Sequence, residues 1–349
     1  MSDESVNLFD QQERNRRRSR WLVIGFVLFF AWLGFGGDLI FFLSTQQAGS
    51  AEYRHVVPWF GLLLTALAAG IAWYAWRTGP RKVLWATGAR EVTAPVTPEE
   101  RQLVNVVEEM AIASGLPRPR IWVIPEPDPN AFATGHDERN ASIAVTEGLL
   151  AACSRDELQA VVAHELGHVK NLDVRLMTLL AALVGAVALI SDGLGRSLRT
   201  GARLGGRSSR GGKKGGNLGP VVLILVAVWI ISWVLAPLIT RLLALGVSRK
   251  REYLADAMSA QFTRNPLALA AALEKIEHSE APTKAIKSGS AHLCIADPTG
   301  RRLNAKEGWV AELLGTHPPM AIRIAKLKAM GYQELKQSGS FVPADTTRV

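Results

Sequence analysis

Cysteine is scarce: the 349 residues hold two, Cys153 and Cys294, in unrelated contexts and with no CxxC spacing. A disulfide framework is not indicated, and a reducing compartment is compatible with the chain. Charge is thin as well. Asp, Glu, Lys and Arg make up 20% of the sequence, against about 25% in ordinary globular proteins. Acids are the scarcer sign, 31 against 40 bases, for a net charge of +9. Seven cations stand in one glycine-rich stretch, from Arg196 to Lys214, with no acid among them. The basic balance is therefore local and weak evidence for nucleic acid; no nucleic-acid partner is expected. Apolar residues are what the chain has in quantity, 48% of it, with a mean hydropathy of +0.12. That excludes a disordered polar chain, and their clustering argues against a wholly soluble protein.

Four apolar stretches stand out. Trp21 to about Leu43 carries one internal charge, Asp38. Val56 to Trp76 and Val221 to Thr240, the latter with Pro237 as a kink site, are each long enough to cross ~30 Å of hydrocarbon. The third, Leu176 to Ile190, covers roughly 22 Å as a helix and suits a buried or re-entrant segment as well as a span. The first is no cleavable signal peptide: it is too long, lacks a small-residue cleavage site and leads at once into a second span. Arg14, Arg16, Arg17, Arg18 and Arg20 precede it, and Arg77, Arg81 and Lys82 follow the second. The positive-inside rule thus predicts a cytoplasmic N-terminus and a cytoplasmic chain from residue 77 onward.

The polar blocks, 77–173 and 247–349, would hold the soluble part. Pro98 to Ser114 reads as a helix through Leu103, Val106, Val107, Met110 and Ile112, stopped by Gly115. Arg120 to Ile124 reads as a strand, and 130–135 with 141–146 as paired strands around a polar turn. Ser154 and Glu157 form a capping box that opens a further helix.

That helix contains His164-Glu165-Leu166-Gly167-His168. Residues four apart share a helical face, so both imidazoles can bind one metal ion, with Glu165 beside them to take a proton from an activated water. Zinc fits this donor set best. A third protein ligand is needed, and the metzincin spacing does not provide it, since Asn171 and Val174 stand where Gly and His would be. Asp173 falls about 140° around a continuous helix from His168, pointing away from the metal. Glu252 and Asp256, four apart on an expected helix, are better placed: Glu252 as ligand, Asp256 holding a ligand histidine from behind. A solvated helix face among arginines is the competing reading of that pair.

Several further motifs join these: Pro129-Asn130-Ala131-Phe132-Ala133-Thr134-Gly135, the continuation Val169-Lys170-Asn171-Leu172-Asp173, Arg251-Glu252-Tyr253-Leu254-Ala255-Asp256, and Thr316-His317-Pro318-Pro319 followed by Arg323-Ile324. Together they resemble the HtpX-type membrane zinc metalloproteases, in the group that includes the CaaX prenyl proteases. The resemblance implies an α+β fold: a mainly helical zincin-like metalloprotease domain with a small β-sheet, plus four transmembrane helices. It implies one Zn2+ per subunit held by His164, His168 and Glu252, with Glu165 as catalytic base. Asp256 and Asn171 are expected to support the ligands.

His317, which the resemblance places near the cleft, and Arg323 are the candidate oxyanion donors. A turn residue and a surface helix cation are their competing readings. His292 is expected to be structural. The small side chains of Ala131-Phe132-Ala133-Thr134 suit an edge strand that pairs with an extended substrate; a plain core strand competes. The implied activity is endoproteolysis of misfolded or damaged membrane proteins, in a multi-pass protein of the bacterial inner membrane. Its partners would be membrane-protein or peptide substrates, the bilayer, and other membrane proteases or a second copy.

The chain then divides into a basic N-terminus (1–20), a membrane hairpin (21–76), half of a catalytic domain (77–173), a second hairpin (174–246) with the basic loop 193–219, and the other half (247–349). The loop and the arginine-rich N-terminus depart from the family pattern. Because the candidate ligands flank residues 174–246, both apolar stretches there cross the membrane or neither does. Positive-inside favours neither; the resemblance favours both, with the loop outside. CaaX-type processing and a non-catalytic scaffold are the alternative functions. The basic loop reads as a flexible linker, with an RNA or lipid-headgroup contact as the alternative.

Overall fold

The computed structural model describes residues 8–47, 56–183, 249–279, 293–296 and 318–337. The fourth apolar stretch, the basic loop 193–219, His292 and His317 lie outside them. Two compact units emerge: Arg17–Thr78 with Ala182–Ala244, and Met1–Arg16 with Gly79–Ala181 and Leu245–Val349.

The first unit is built on α1 (Leu8–Gln47) from Arg17 onward and α2 (Trp59–Ala86) up to Thr78, both helices longer than the expected spans. The first turns of α1 and the last of α2 belong to the second unit. Both are long and apolar enough to cross a membrane. Their large apolar side chains face outward, with Trp21, Leu28, Trp32, Leu63 and Trp73 50–66% exposed, the reverse of a soluble helix pair. Where the helices meet, backbone meets backbone: a Cβ on Gly34 would lie 2.6 Å from the Phe60 carbonyl and 2.7 Å from the Gly61 Cα. Small residues permit such approaches. The lone acid of the first stretch belongs to the same contact. Buried Asp38 accepts from the Gly61 N–H at 2.6 Å and the Phe60 N–H at 3.3 Å, donors that the first turn of α2 cannot satisfy itself.

The second unit has a four-stranded sheet beside a set of helices. β1 (Arg90–Glu91), β2 (Arg120–Ile124), β3 (Ala131–Thr134) and β4 (Ser142–Thr146) lie in the order β1-β2-β4-β3. β2 and β4 are parallel, with Ile121 opposite Ile143; β3 runs antiparallel to β4, with Phe132 opposite Ala144. β3 is thus an edge of the sheet. α3 (Pro98–Ser114) starts on the Thr97 cap with Pro98 behind it and ends at Gly115 in the left-handed region, φ 70°. After the short α4 (Glu147–Ala152), α5 (Arg155–Lys170) opens with both reciprocal bonds of the Ser154–Glu157 box formed. Leu103, Val106 and Val107 of α3, Leu158, Val161 and Val162 of α5, and Ile143 and Val145 of β4 share one core.

Among the described residues, α6 (Arg249–Thr263), α7 (Pro266–Glu277) and α8 (Met320–Gln337) belong to the same unit. α7 adds Leu269, Leu273 and Ile276 to the core, and α8 adds Ile324 and Leu327. α5 and α6 approach closely at Gly167, where a Cβ would stand 3.2 Å from the Ala255 Cα. Nearby, Ser259 Oγ donates to the Ala160 carbonyl at 2.7 Å.

The end of α5 corrects one expectation. Asp173 is not on a continuation of the helix: α5 stops at Lys170, and buried Leu172 adopts φ 57°. A leucine in the left-handed region reverses the chain at a cost of roughly 1–2 kcal/mol. A new helical run, 173–183, then starts at Asp173. The 140° offset no longer applies, and Asp173 turns back toward His168.

Candidate metal centre

Gly167 lies between the two histidines of α5, and Ala255 between Glu252 and Asp256 of α6. Their contact therefore sets the two i,i+4 pairs against each other. Glu252 Oε2 is 3.8 Å from His164 Nε2, and its Oε1 is 3.6 Å from His168 Nε2. One donor atom from each of His164, His168 and Glu252 lies within 4.8 Å of the other two, a group that could hold one metal ion. The imidazoles stand nearly perpendicular, at 88°.

Behind each ring is a carboxylate. Asp256 Oδ1 is 3.0 Å from His164 Nδ1, and Asp173 Oδ2 is 3.3 Å from His168 Nδ1. A partner on Nδ1 fixes ring orientation and leaves Nε2 as the donor. Asp256 thus lies where the sequence reading put it. Asp173, which that reading turned away, supports the other histidine. The signal that could have found it is local: the Asn171-Leu172 helix end, with an acid opening the next helical run. The Asn171 amide donates to Met258 Sδ at 3.3 Å.

Arg323 is wholly buried, not a surface cation. Its Nε and Nη2 donate to the two Asp256 oxygens at 2.9 and 2.6 Å, and its Nη1 stands 3.2 Å from Glu252 Oε2. Nη1 also donates to the Ile295 carbonyl at 3.2 Å. The guanidinium therefore clamps carboxylates. Arg251, also buried, pairs with Asp173 at 3.4 Å.

Charge accounting around this cluster is uneven. Glu165, Asp173, Glu252 and Asp256 are all buried, against the two buried guanidiniums of Arg251 and Arg323. Buried charges persist when paired or when they coordinate a metal; among the described residues, buried carboxylates outnumber buried guanidiniums in this cluster. Among protein groups alone, protonation takes up the difference. Burial pushes the Glu165 carboxyl up to about 7. Burial opposes a charge on His168, but hydrogen bonding to Asp173 and the Glu252 charge outweigh it and lift the ring to about 9. His164 goes the other way: burial holds it below the usual range against the pull of Asp256. Burial alone would raise Asp256, yet the Arg323 charge keeps it low.

A small cavity of ≈ 20 Å³ lies among Ala133, Glu165, His168, Val174, Met177, Glu252 and Leu293, with room for about one water. The Glu165 Oε1 is buried without a hydrogen-bond partner. Of the proposed substrate strand, Ala133 reaches this cavity, whereas Phe132 packs in a core with Ile124 and Ala144. Thr134 Oγ1 meets Thr178 Oγ1 at 2.9 Å. The open side of β3 is partly taken: Phe132 bridges Cys294, and the Ile295 N–H donates to the Ala131 carbonyl at 2.9 Å. Cys153 and Cys294 are both buried and neither is in a disulfide, and burial pushes Cys153 up to about 12.

Comparison with known proteins matches this arrangement to a family. Peptidase family M48 matches residues 98–331, which include every residue of the cluster. The chain is 39% identical over 294 residues to a protease HtpX homolog of Tropheryma whipplei (strain Twist), covering 84% of this chain and 94% of the relative. It is 38% identical over 331 residues to a protease HtpX homolog of Lactiplantibacillus plantarum, covering 93% and 100%. The crystal structure of S. mikatae Ste24p overlaps at a TM-score of 0.45 and 18% identity, covering 93% of this chain and 67% of that one, too loosely to bear on the site. The chain belongs to peptidase family M48, as an HtpX-type membrane metalloprotease.

Proposed function

We propose that the chain is a zinc-dependent endopeptidase acting on membrane proteins, with His164, His168 and Glu252 as ligands of one Zn2+ and Glu165 as general base. The observation that carries this reading is the convergence of one donor atom from each of His164, His168 and Glu252, all within 4.8 Å of one another, with the buried Glu165 beside them. Two imidazoles and a carboxylate are a donor set that zinc takes, and Glu252 stands 3.8 and 3.6 Å from the Nε2 atoms of His164 and His168. Bound there, zinc would polarise the scissile carbonyl and acidify an attacking water. Glu165, facing the cavity, takes that water's proton and delivers it to the leaving amine. Asp256 and Asp173 orient the two imidazoles, and Arg323 holds Asp256 and Glu252. Of the two oxyanion candidates, Arg323 is thereby committed to carboxylates, which leaves His317 for that part.

An extended substrate lies along the outer side of β3 near Ala133. Its pairing is limited at Ala131, where Ile295 already binds. A site with few side-chain pockets suits loose sequence preference and the removal of damaged membrane proteins. Membrane placement follows the same evidence. The approach of His164 and His168 to Glu252 supports the reading that the two apolar stretches within 174–246 both cross the membrane or neither does; the family resemblance favours a second hairpin. The arginines before Trp21 support a cytoplasmic N-terminus and site, and bacterial relatives support the inner membrane.

The test is Glu165→Gln in the full chain. We expect zinc content unchanged and cleavage of a model membrane protein down about 10²–10⁴-fold, while Glu252→Ala purifies with little zinc. Undiminished cleavage by Glu165→Gln removes the base, and equal zinc in Glu252→Ala removes the ligand.

A further inference from the structure

The arginine-rich segment before the first apolar stretch has a signal for membrane sidedness and nothing else in the sequence. It lies outside residues 98–331, the part matched to the protease family. Two of its residues nevertheless meet the end of α5, more than 150 positions away. Gln12 Nε2 donates to the Lys170 carbonyl at 2.7 Å. Asn15, 2% exposed among exposed arginines, donates through Nδ2 to the Asn171 carbonyl at 2.9 Å and to Asp173 Oδ1 at 2.8 Å.

The last carbonyls of a helix lack partners within it. Here α1 provides them, and Asn15 reaches one step further. Asp173 divides its two oxygens: Oδ2 toward His168 Nδ1, Oδ1 toward the Asn15 amide and Arg251. A carboxylate that opens a new helical run right after the left-handed Leu172 has no continuous helix to hold its direction. Asn15 spans the break, bonding a carbonyl before it and the carboxylate after it.

We infer that Asn15 is a positioning residue for the metal centre, so that metal retention depends on the docked N-terminal arm. The inference rests on His168 being a metal ligand. Asn15 acts only through Asp173, which aims the imidazole; removing it frees the carboxylate to turn and the ring to follow. Partners behind a ligand histidine typically affect metal affinity by about 10–100-fold.

The test is a double-mutant cycle on the full chain in detergent or nanodiscs, reading the zinc dissociation constant by chelator competition and the visible spectrum of the cobalt-loaded protein. Asn15→Leu keeps the volume and loses the amide. We expect zinc to bind about tenfold more weakly, with an altered cobalt spectrum, while Arg14→Ala, beside it and exposed, changes neither. In an Asp173→Asn background, Asn15→Leu should add nothing. Asn15→Ser repeats the cycle with a smaller side chain if the leucine variant does not fold. Unchanged affinity in both Asn15 variants, or losses that add in the Asp173→Asn background, overturns the inference. A wild-type chain that binds no zinc, or a His168→Ala chain that binds it as well as wild type, sinks the metal reading itself, a distinct result.

Discussion

Each unit of the protein buries acidic side chains, and each deals with them differently. In the α1–α2 pair, Asp38 accepts hydrogen bonds from the first-turn amides of Phe60 and Gly61. A helix N-terminus presents a partial positive charge as well as donors, so backbone amides answer this carboxylate. In the catalytic unit, Glu165, Asp173, Glu252 and Asp256 crowd the guanidiniums of Arg251 and Arg323, with Glu252 in the first turn of its helix and Asp173 opening another. The first arrangement serves a helix contact; the second gathers acids around a group of donors that could hold a metal ion. The contrast teaches that a buried acid signals chemistry through what converges beside it, not through burial alone.

The largest expected effect that could break this contrast is at Arg323. Arg323→Met removes one of the two counter-charges and leaves Asp256 and Glu252 without their clamp. Removing one partner of a buried pair costs about 3–5 kcal/mol, and we expect that loss in denaturant unfolding of the zinc-free chain. Zinc should then stabilise the variant by more than it stabilises wild type, because the uncompensated charge it meets is larger. A cost within about 0.5 kcal/mol, as for a surface substitution, means that Arg323 is no counter-charge.

Asp38→Leu is the matching test in the other unit. It leaves the Gly61 and Phe60 amides without this acceptor, at about 1–3 kcal/mol. Zinc should change that loss not at all. If zinc rescues Asp38→Leu as it rescues Arg323→Met, the two kinds of buried acid are not distinct.

What could be read from the sequence follows the range of the interaction that fixes it. α3, β2, the β3–β4 pair and the start of α5 depend on periodicity, turn residues and a capping box. Residues no more than four or five apart specify these, and they appear where expected. The His164–His168 and Glu252–Asp256 pairs were visible for the same reason, since each is an i,i+4 pair. Asp173 was misread because its direction depends on a leucine with positive φ, a state that residue type does not announce. The burial of Arg323 depends on carboxylates from α6, and Asn15 looks like one more polar residue in a basic run. Both are fixed by contacts 67 or more positions away. The occupied edge of β3 is of this kind too: nothing in residues 293–296 announces a partner near 131.

The smallest expected effect concerns a carboxylate that is neither enclosed like Asp38 nor crowded like Glu252. Glu157 closes the capping box of α5 and pairs with Lys275 Nζ at 2.6 Å, a lysine that is 44% exposed. Partial burial would raise its pKa, but hydrogen bonds from Lys275 and the Ser154 amide prevail and hold it below the usual carboxylate range. A depressed folded pKa means that the unfolded chain binds the proton first, so the stabilisation is fully present above the unfolded value of about 4.3 and is lost as pH falls through the folded one. Glu157→Gln keeps a side chain that can close the box and removes the titration. Near pH 7 the variant should lose less than about 1 kcal/mol, as solvent screens the Lys275 pair. Below pH 4 the gap between variant and wild type should close. A gap that stays constant from pH 7 to pH 3 in zinc-free unfolding would mean that Glu157 acts by shape alone, which would leave the ionised cap without a part in setting the start of the helix that carries His164 and His168.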